Sequence, residues 1–292
     1  SVSAISGVDI EKQGIKGLDK IGLAVPNLNL AMRTDGYPNV SIRGIGAFGL
    51  TQGVGFYLDD VQLFADASSR FGDLERIEVL KGPQGTLYGG SNIGGAVKFV
   101  SKRPTMGEDS GRIKVQAGGQ DSKDYELSGN IAISDSWAMR VFAFNRDDKG
   151  FLTNPNSGGQ NQPVDVGAYE EEGYRISVAG SLSDTLSLYA SHRRNEYSGP
   201  VNFWAREMGS PGNFDYKHEL DTGRNPTHDR ETNGTTLELN LEMDGFDITS
   251  ISSYTDTQSV RITDVDLTPF WFFNTTRPEE MEVTTQEIRL TS

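Results

Sequence analysis

Residues 74–104 read LERIEVLKGPQGTLYGGSNIGGAVKFVSKRP, two strand-like runs around a glycine-rich connection. The runs Ile77–Lys81 and Ala96–Ser101 are rich in β-branched and apolar residues, which favour strands. Gly82-Pro83 is typical of a turn, because proline presets its own φ and glycine accepts backbone conformations closed to other residues. The stretch therefore predicts two strands joined by a tightly turned connection.

The residues before this stretch predict a small α+β domain. A short helix is expected at Asp9–Gly14, with Asp9 as its cap, and Leu18–Leu23 continues a helical apolar face. Brief strands are expected at Val40–Arg43 and Gly55–Leu58, separated by glycine-rich turns.

The residues after Gly111 follow a different pattern, with strict alternation of apolar and polar side chains. In Thr235–Met243 every second residue from Leu237 is Leu or Met, and Thr, Glu and Asn lie between them. This period of two places apolar and polar residues on opposite faces of a strand. About eight such strands are expected, a signature of transmembrane barrels: Arg112–Ala117, Tyr125–Ile133, Trp137–Asn145, Tyr174–Leu182, Thr185–Arg193, Thr235–Met243, Phe246–Thr255 and Met281–Leu290.

The connections between these strands also alternate in length. Ser134–Ser136, Ser183–Asp184 and Asp244–Gly245 are tight turns, whereas Asp147–Glu172, Ser198–Arg230 and Asp256–Glu280 are expected to be long loops. Short turns on one side and long loops on the other are typical of a membrane barrel. A soluble β-sandwich or jelly roll also alternates and stays open at this point, although polar faces that run the full strand length favour the barrel.

Composition removes several classes of protein. The 292 residues carry a net charge of −14, which disfavours binding to nucleic-acid phosphates, and the absence of cysteine excludes disulfides and thiolate zinc sites. No apolar run is long enough for a membrane-spanning helix. Ser1 opens into ordinary sequence, so we expect any signal peptide to be missing from the chain.

The opening stretch resembles the plug signature of TonB-dependent outer-membrane receptors, ERIEVLRGPQGxLYGxxAxGGxIN followed by a TKRP-like end. Ser41-Ile42-Arg43-Gly44 is similar to the xIRG motif of that family, and Tyr57-Leu58-Asp59-Asp60-Val61 to its YxDGV hairpin. There are departures: Asp60 stands where glycine is usual, Lys98 where an apolar residue or Asn is usual, and Ser91-Asn92 replaces a more apolar pair.

The resemblance implies a mainly β protein, with a small α+β plug domain at 1–106 and the N-terminal part of a transmembrane β-barrel at 107–292. About eight of the roughly 22 strands of plugged transporters are then present. We expect an incomplete barrel that continues past Ser292, and a TonB box that lies before Ser1.

The same resemblance implies location in the outer membrane of a Gram-negative bacterium and active import of a scarce nutrient: a ferric siderophore or similar chelate, cobalamin, a saccharide or another organic solute. The implied partners are TonB with the ExbB/ExbD energy complex, outer-membrane lipid and an extracellular small-molecule ligand. No cofactor is expected. The alternative function is that of a plugged barrel serving as a structural or interaction component of an outer-membrane assembly.

Two groups of site residues follow. The plug apices are expected at Ala31–Tyr37, Ala47–Gly53 and Phe64–Arg70, where cationic, hydrogen-bonding and aromatic groups suit an anionic chelate or a polar solute; the expected ligand contacts are Arg33, Gln52, Phe64 and Arg70. Charges near strand ends are expected to pair with one another or with the inner barrel wall, and the resemblance implies that those at the Arg43 and Lys81 positions help hold plug to barrel. The residues expected in this packing are Arg43, Glu75, Arg76, Glu78 and Lys81.

Three further patterns point away from enzymatic chemistry. Gly44–Gly49 is a literal GxGxxG, but no helix opens after it as a dinucleotide site requires. The three histidines lack metal-ligand spacing. The carboxylate pairs have no nucleophile or base beside them. We therefore expect neither a catalytic nor a metal site.

Overall fold

The computed structural model describes residues 2–15, 21–22, 24–32, 38–46, 53–64, 71–83, 92–119, 121–150, 168–200, 225–264 and 273–292. Its elements in chain order are β1 (Val2–Ser6), α1 (Gly7–Lys12), β2 (Leu28–Met32), β3 (Pro38–Ile42), β4 (Ile45–Gly46), β5 (Val54–Leu58), β6 (Val61–Leu63), β7 (Leu74–Lys81), β8 (Gly95–Ser101), β9 (Ser110–Ala117), β10 (Lys123–Ser134), β11 (Trp137–Asp148), β12 (Tyr169–Ser181), β13 (Leu186–Gly199), β14 (Thr227–Met243), β15 (Phe246–Asp264) and β16 (Asn274–Thr291). No helix within the described ranges is long and apolar enough to cross a membrane.

The first part of the chain forms a five-stranded sheet of order β1-β7-β8-β5-β6, which we call the plug sheet, and a three-stranded sheet of β2, β3 and β4. The plug sheet is mixed, because β5 pairs parallel with β8 whereas the other neighbours are antiparallel. Its side chains build the hydrophobic core, in which Phe56, Ile77 and Val79 are almost fully buried. The four predicted strands are present, and β1, β2, β4 and β6 were not expected from the sequence.

Helix α1 begins earlier than predicted, and its cap is Ser6 rather than Asp9. The Ser6 Oγ accepts a hydrogen bond from the Asp9 backbone N–H at 3.2 Å and donates one to Asp9 Oδ2 at 2.6 Å. Asp9 therefore lies in the first turn, where its charge favours the helix dipole. The predicted N-cap was wrong, because Ser and Asp are both favourable N-cap residues and the sequence pattern did not distinguish Ser6 from Asp9.

The second part forms one antiparallel sheet in which β9 to β16 pair in sequence order, and we call it the wall. All eight predicted strands are present. Strands β11 to β16 run further than predicted, so 147–148, 169–172, 198–199, 227–230, 256–264 and 274–280 are strand where loops were expected. The outward residues of these extensions include Glu170, Asp229 and Glu280, so the apolar alternation that marks the rest of each strand is lost there.

The wall exposes its apolar face and buries its polar one. On β10, Leu127 and Ile131 are each 49% exposed, while Asp124 and Asn130 on the opposite face are 3% and 2% exposed. On β16, Ile288 is 71% exposed. A soluble sandwich buries its apolar face, so this arrangement excludes that alternative and is the one required in lipid. The polar inner face packs against the plug sheet.

Candidate functional site: the plug sheet against the inner wall

The most buried ionic contact between the two parts is centred on Asp73, which precedes β7. Its carboxylate, 4% exposed, accepts hydrogen bonds from Arg140 Nε at 2.6 Å and Arg140 Nη2 at 2.7 Å. Arg175 Nη2 lies 3.5 Å from the same carboxylate and donates to the Asp73 backbone carbonyl at 3.2 Å. A bidentate arginine pair with a second arginine beside it fixes both position and orientation. We call this cluster the Asp73 anchor.

Gly72 allows the chain to lie directly on the wall beside this anchor. A Cβ at position 72 would fall 2.1 Å from Cζ of Phe142, a distance that no carbon pair tolerates. Phe142 is 4% exposed and stacks on Phe144, with ring centroids 5.8 Å apart. The close approach therefore requires glycine, and Arg175 Nη1 donates to its carbonyl at 3.3 Å.

A second ionic contact is made by Asp60, in the turn between β5 and β6. Asp60 Oδ1 lies 2.5 Å from Lys98 Nζ on β8, and Oδ2 lies 3.1 Å from Arg289 Nη1 on β16. Burial alone would raise the pKa of Asp60, but the hydrogen bond and charge of Lys98, together with Arg289, hold this pKa below its ordinary value. The carboxylate is therefore charged at neutral pH and joins plug sheet to wall.

Two more contacts join the parts at the linker and at α1. Arg103 Nη2 donates to Glu238 on β14 at 2.7 Å, and its guanidinium lies 3.9 Å from the ring centroid of Tyr189. Arg112 on β9 pairs with Glu11 of α1. The hydrogen bond from Arg112 is the main cause that holds the pKa of Glu11 below its ordinary value.

Among the charges expected near strand ends, several pair with one another, which is one of the two expected arrangements. Arg76 pairs with Glu75 and with Glu78, both at 2.6 Å, and Lys81 Nζ donates to the Pro26 carbonyl at 3.1 Å. These contacts join residues of the first part of the chain to one another. Arg43 lies in an exposed turn with φ +54°, and its backbone N–H donates to the carbonyl of Asn27 at 3.0 Å. The role of these five residues in plug–barrel packing stays a prediction.

The inner face of the wall carries a cluster of aromatic and cationic side chains, which we call the inner-wall cluster. The rings of Tyr169 and Tyr197 stack with centroids 6.1 Å apart, and the His228 ring meets Tyr197 edge-on at 5.9 Å. Arginine guanidinium groups lie 5.0 Å from the Tyr169 centroid and 5.7 Å from the Tyr197 centroid. The cluster consists of Arg146, Tyr169, Tyr197, His228, Arg230 and Arg261.

This cluster lies beyond the plug contacts, toward the edge of the wall with the long connections. Arg175, which contacts Asp73, and Tyr169 are six residues apart on β12, and Arg193, which lies over Phe71, and Tyr197 are four apart on β13. At about 3.3 Å per residue, the separation is roughly 13–20 Å. The cluster therefore lies on the inner face beyond the plug contacts, where His228, Arg230 and Arg261 are buried.

The predicted ligand contacts are only partly described. Phe64 follows β6 and is 38% exposed. Arg33, Gln52 and Arg70 lie outside the described residues.

Sequence reasoning missed the inner-wall cluster, because Tyr169, His228 and Arg261 fall in segments assigned to loops. Continuing the period-two count past the apolar part of each strand would have placed them on the inner face.

The outer face at the same edge is acidic. A concavity of about 890 Å³ at this edge is lined by residues of both faces, among them the outward carboxylates Glu170, Glu196, Glu231 and Glu280, together with Tyr197 and Arg230 of the inner-wall cluster. Carboxylate oxygens of Asp256, Glu280 and Glu282 also lie within 4.8 Å of one another. Negative charge repels anions, so this outer surface does not suit an anionic ligand. The inner face carries Arg146, Arg230 and Arg261, of which Arg146 lies near Asp148 and Arg261 pairs with Glu279.

The plug region matches a known family. The sequence model described as TonB-dependent Receptor Plug Domain matches residues 1–96. The pesticin receptor of Yersinia pestis is 29% identical over 167 residues, which covers 54% of this chain and 24% of that protein. The ferrioxamine receptor of Yersinia enterocolitica is 33% identical over 119 residues, 38% of this chain and 16% of that protein. The chain thus matches about a quarter or less of the length of these relatives.

Solved structures extend the similarity over the whole chain. The ferric yersiniabactin uptake receptor FyuA from Yersinia pestis matches with a TM-score of 0.87 at 20% identity, covering 99% of this chain and 45% of that one. The ferric-catecholate import receptor Fiu from E. coli K12 matches with a TM-score of 0.79 at 19% identity, covering 100% and 46%. These matches confirm the fold: a plug followed by antiparallel strands of a larger barrel.

The plug motif, the docked plug sheet and the lipid-facing wall agree with these comparisons. Proteins of this kind lie in the outer membrane of Gram-negative bacteria, and so does this one. Residues 1–96 are thus a plug domain of the TonB-dependent receptor family, and the chain as a whole has the fold of such a plug followed by eight antiparallel barrel strands.

Proposed function

We propose that the protein containing this chain imports a scarce anionic chelate, of the ferric siderophore type, across the outer membrane under the control of TonB. The observation that carries the proposal is the plug sheet bound to a polar inner wall whose outer face is apolar. A wall built to face lipid on one side and a removable domain on the other has the architecture of a gate.

The boundary between the two parts supports this division of labour. We place the plug domain at 1–106 and the barrel part at 107–292, because β8 ends at Ser101 and β9 begins at Ser110. Polar and charged groups mediate most of the specific plug–wall contacts described above. Water can replace such hydrogen bonds when the plug moves, which makes a polar interface easier to open than an apolar core.

The substrate class is supported by the inner-wall cluster. Stacked tyrosines and several arginines suit a flat, negatively charged ligand, through stacking and charge-assisted hydrogen bonds. The relatives are named for ferrioxamine and ferric yersiniabactin, which agrees with this chemistry, and vitamin B12 transporters of Vibrio are also similar. Phe64, together with Arg33, Gln52 and Arg70 at the plug apices, would contact the ligand from below.

The energy source is proposed from family membership. TonB, energised by ExbB and ExbD in the inner membrane, would pull on the plug, and the Asp73 and Asp60 contacts would have to open for passage. Nothing in this chemistry calls for an enzyme.

Uptake by the full-length receptor tests the function. Cells that express it are given a panel of radiolabelled ferric chelates of phenolate, catecholate and hydroxamate type, with cobalamin and a maltooligosaccharide for comparison. We expect accumulation of at least one anionic ferric chelate that stops when the proton motive force is collapsed or TonB is deleted. Accumulation that ignores both treatments, with stoichiometric co-purification of other envelope proteins, would instead favour a structural component of an assembly.

A further inference from the structure

The two residues that depart most clearly in charge from the family's plug motif are in contact with each other. Asp60 occupies the position where glycine is usual, and Lys98 the position where an apolar residue or Asn is usual. Lys98 is paired with Tyr57 of the parallel strand β5, two residues from the turn. Their charged atoms lie 2.5 Å apart, and both side chains are largely buried, at 16% and 14% exposed.

The backbone conformation of the turn that carries Asp60 favours glycine over aspartate at this position. Leu58 pairs with Val61, so the hairpin has a two-residue turn, and its φ angles are +49° at Asp59 and +71° at Asp60. Turns with two positive φ angles favour glycine at the second position. Aspartate tolerates this conformation less well than glycine, so we look to the contacts of its carboxylate for a compensating gain.

The two acids of the turn have separate partners. Asp59 faces the plug sheet, where it accepts hydrogen bonds from the Ser101 backbone N–H at 2.8 Å and the Ser101 hydroxyl at 2.5 Å. Asp60 reaches the wall through Arg289, whose Nε donates to Glu287 and whose Nη1 lies 3.1 Å from Asp60. Asp59 therefore fixes the turn, and Asp60 fixes the turn to the wall.

From this geometry we infer that Asp60, Lys98 and Arg289 form a latch, which holds the β5–β6 hairpin to the barrel wall and must open before that hairpin can move. The latch differs from the Asp73 anchor in strength. Asp73 meets two wall arginines and is 4% exposed, whereas Asp60 meets one wall arginine that is itself 36% exposed. The hairpin is also the edge of the plug sheet, because β6 pairs only with β5 among the described strands. Separating the latched edge from the wall therefore breaks one ionic contact to a wall arginine, against two at the Asp73 anchor.

The role of the latch in gating rests on the proposed function. The contact itself does not, and the following experiment tests it without measuring transport. Hydrogen–deuterium exchange of the full-length receptor, at neutral pH and without ligand, follows the peptide covering residues 54–63. We expect Arg289→Gln to raise exchange there by about tenfold, the effect of losing a part-buried charged hydrogen bond, with little change in β7. The matched control is Arg277→Gln on the same strand, whose guanidinium pairs with Glu279 and is 63% exposed.

A double variant distinguishes the loss of this one contact from a general loss of folding, because two changes in the same contact should not have additive effects on exchange. Asp60→Asn/Arg289→Gln should exchange no faster than Asp60→Asn alone, because the wall contact is already broken in the single variant. Additive effects, or equal exchange in Arg289→Gln and Arg277→Gln, would overturn the latch. A receptor with the expected exchange but no uptake of any probe would keep the latch and overturn the proposed function.

Discussion

Asp73 and Arg140 are joined by two parallel hydrogen bonds, of 2.6 and 2.7 Å, across the boundary between plug and wall. They lie 67 residues apart in the sequence. Arg175 and Lys102 surround the same carboxylate, at 3.5 and 4.0 Å. Three cations around one buried carboxylate make Asp73 the residue on which the docking of the plug depends most.

Replacing this carboxylate should loosen the plug strongly. Asp73→Asn leaves Arg140 and Arg175 buried without their counter-ion, and breaking a buried pair in this way typically costs about 3–5 kcal/mol. The measurement is the urea concentration at which protease cleaves the plug of the purified receptor, which we expect to fall. Asp135→Asn, at an exposed turn, is the control and should leave the midpoint unchanged. Equal midpoints for the two variants would show that Asp73 anchors nothing.

Adding one methyl group at Gly72 should displace the plug from the wall. In Gly72→Ala the new Cβ meets the buried ring of Phe142, and overpacking of this kind costs about 1–3 kcal/mol. The same urea titration should show the loss, and Phe142→Leu in the Gly72→Ala background should restore part of it. Gly119→Ala, where a Cβ meets nothing within 4 Å, is the matched control. Failure of Phe142→Leu to restore any stability would argue against the steric explanation.

The sequence predicts the strands of the wall but not the contacts of the plug. Leu127 and Ile131 reveal β10 because lipid on one side and polar surroundings on the other impose alternation over the whole membrane thickness. That signal stops where the strands leave the lipid, so Tyr169 and His228 were assigned to loops. The prediction failed there because acidic outward residues carry no apolar period.

Contacts such as Asp73 to Arg140 have no local pattern at all. One lone aspartate before a strand and one arginine inside another look like ordinary charges, and only the packing of the two sheets brings them together. By contrast Asp60 and Lys98 stood out as departures from a family motif. Their pairing explains both departures at once, although neither alone indicates a partner.

Acid should open the Asp60 contacts only at very low pH. The pKa of Asp60 is lowered from its ordinary 3.8, so its contribution is complete above that pH and is lost as the pH falls through the lower folded-state value. A dye on Gln62→Cys in β6 should therefore report a constant hairpin environment between pH 7 and about 4. In Asp60→Asn the signal should already be that of a loosened hairpin and should lack this acid step. Matching acid transitions in the two proteins would assign the step to another group.

A charge on the outer face of β10 should interfere with membrane insertion. Leu127→Arg places a guanidinium on the lipid-facing side near the middle of β10, where the cost is about 2–4 kcal/mol if that position lies near the middle of the bilayer. The heat-modifiable shift of the folded barrel on gels measures the folded fraction, which we expect to fall. Ser134→Arg, at the exposed end of the same strand, should fold normally. Normal folding of both variants would mean that this face does not meet lipid.

Removing the arginines of the inner-wall cluster should weaken ligand capture without affecting the outer face. Arg230→Gln removes the cation over the Tyr197 ring and Arg261→Gln removes the cation opposite His228, and loss of one charge-assisted hydrogen bond reduces affinity by about tenfold or more. Binding of the ferric chelate that the uptake panel identifies is measured by quenching of intrinsic fluorescence in the full-length receptor. Arg194→Gln is the matched control, because Arg194 lies on neighbouring β13 and pairs with Glu196 and Glu231 among the outer carboxylates. If all three variants bind equally well, the ligand is held elsewhere, and the plug apices at Phe64 become the place to look.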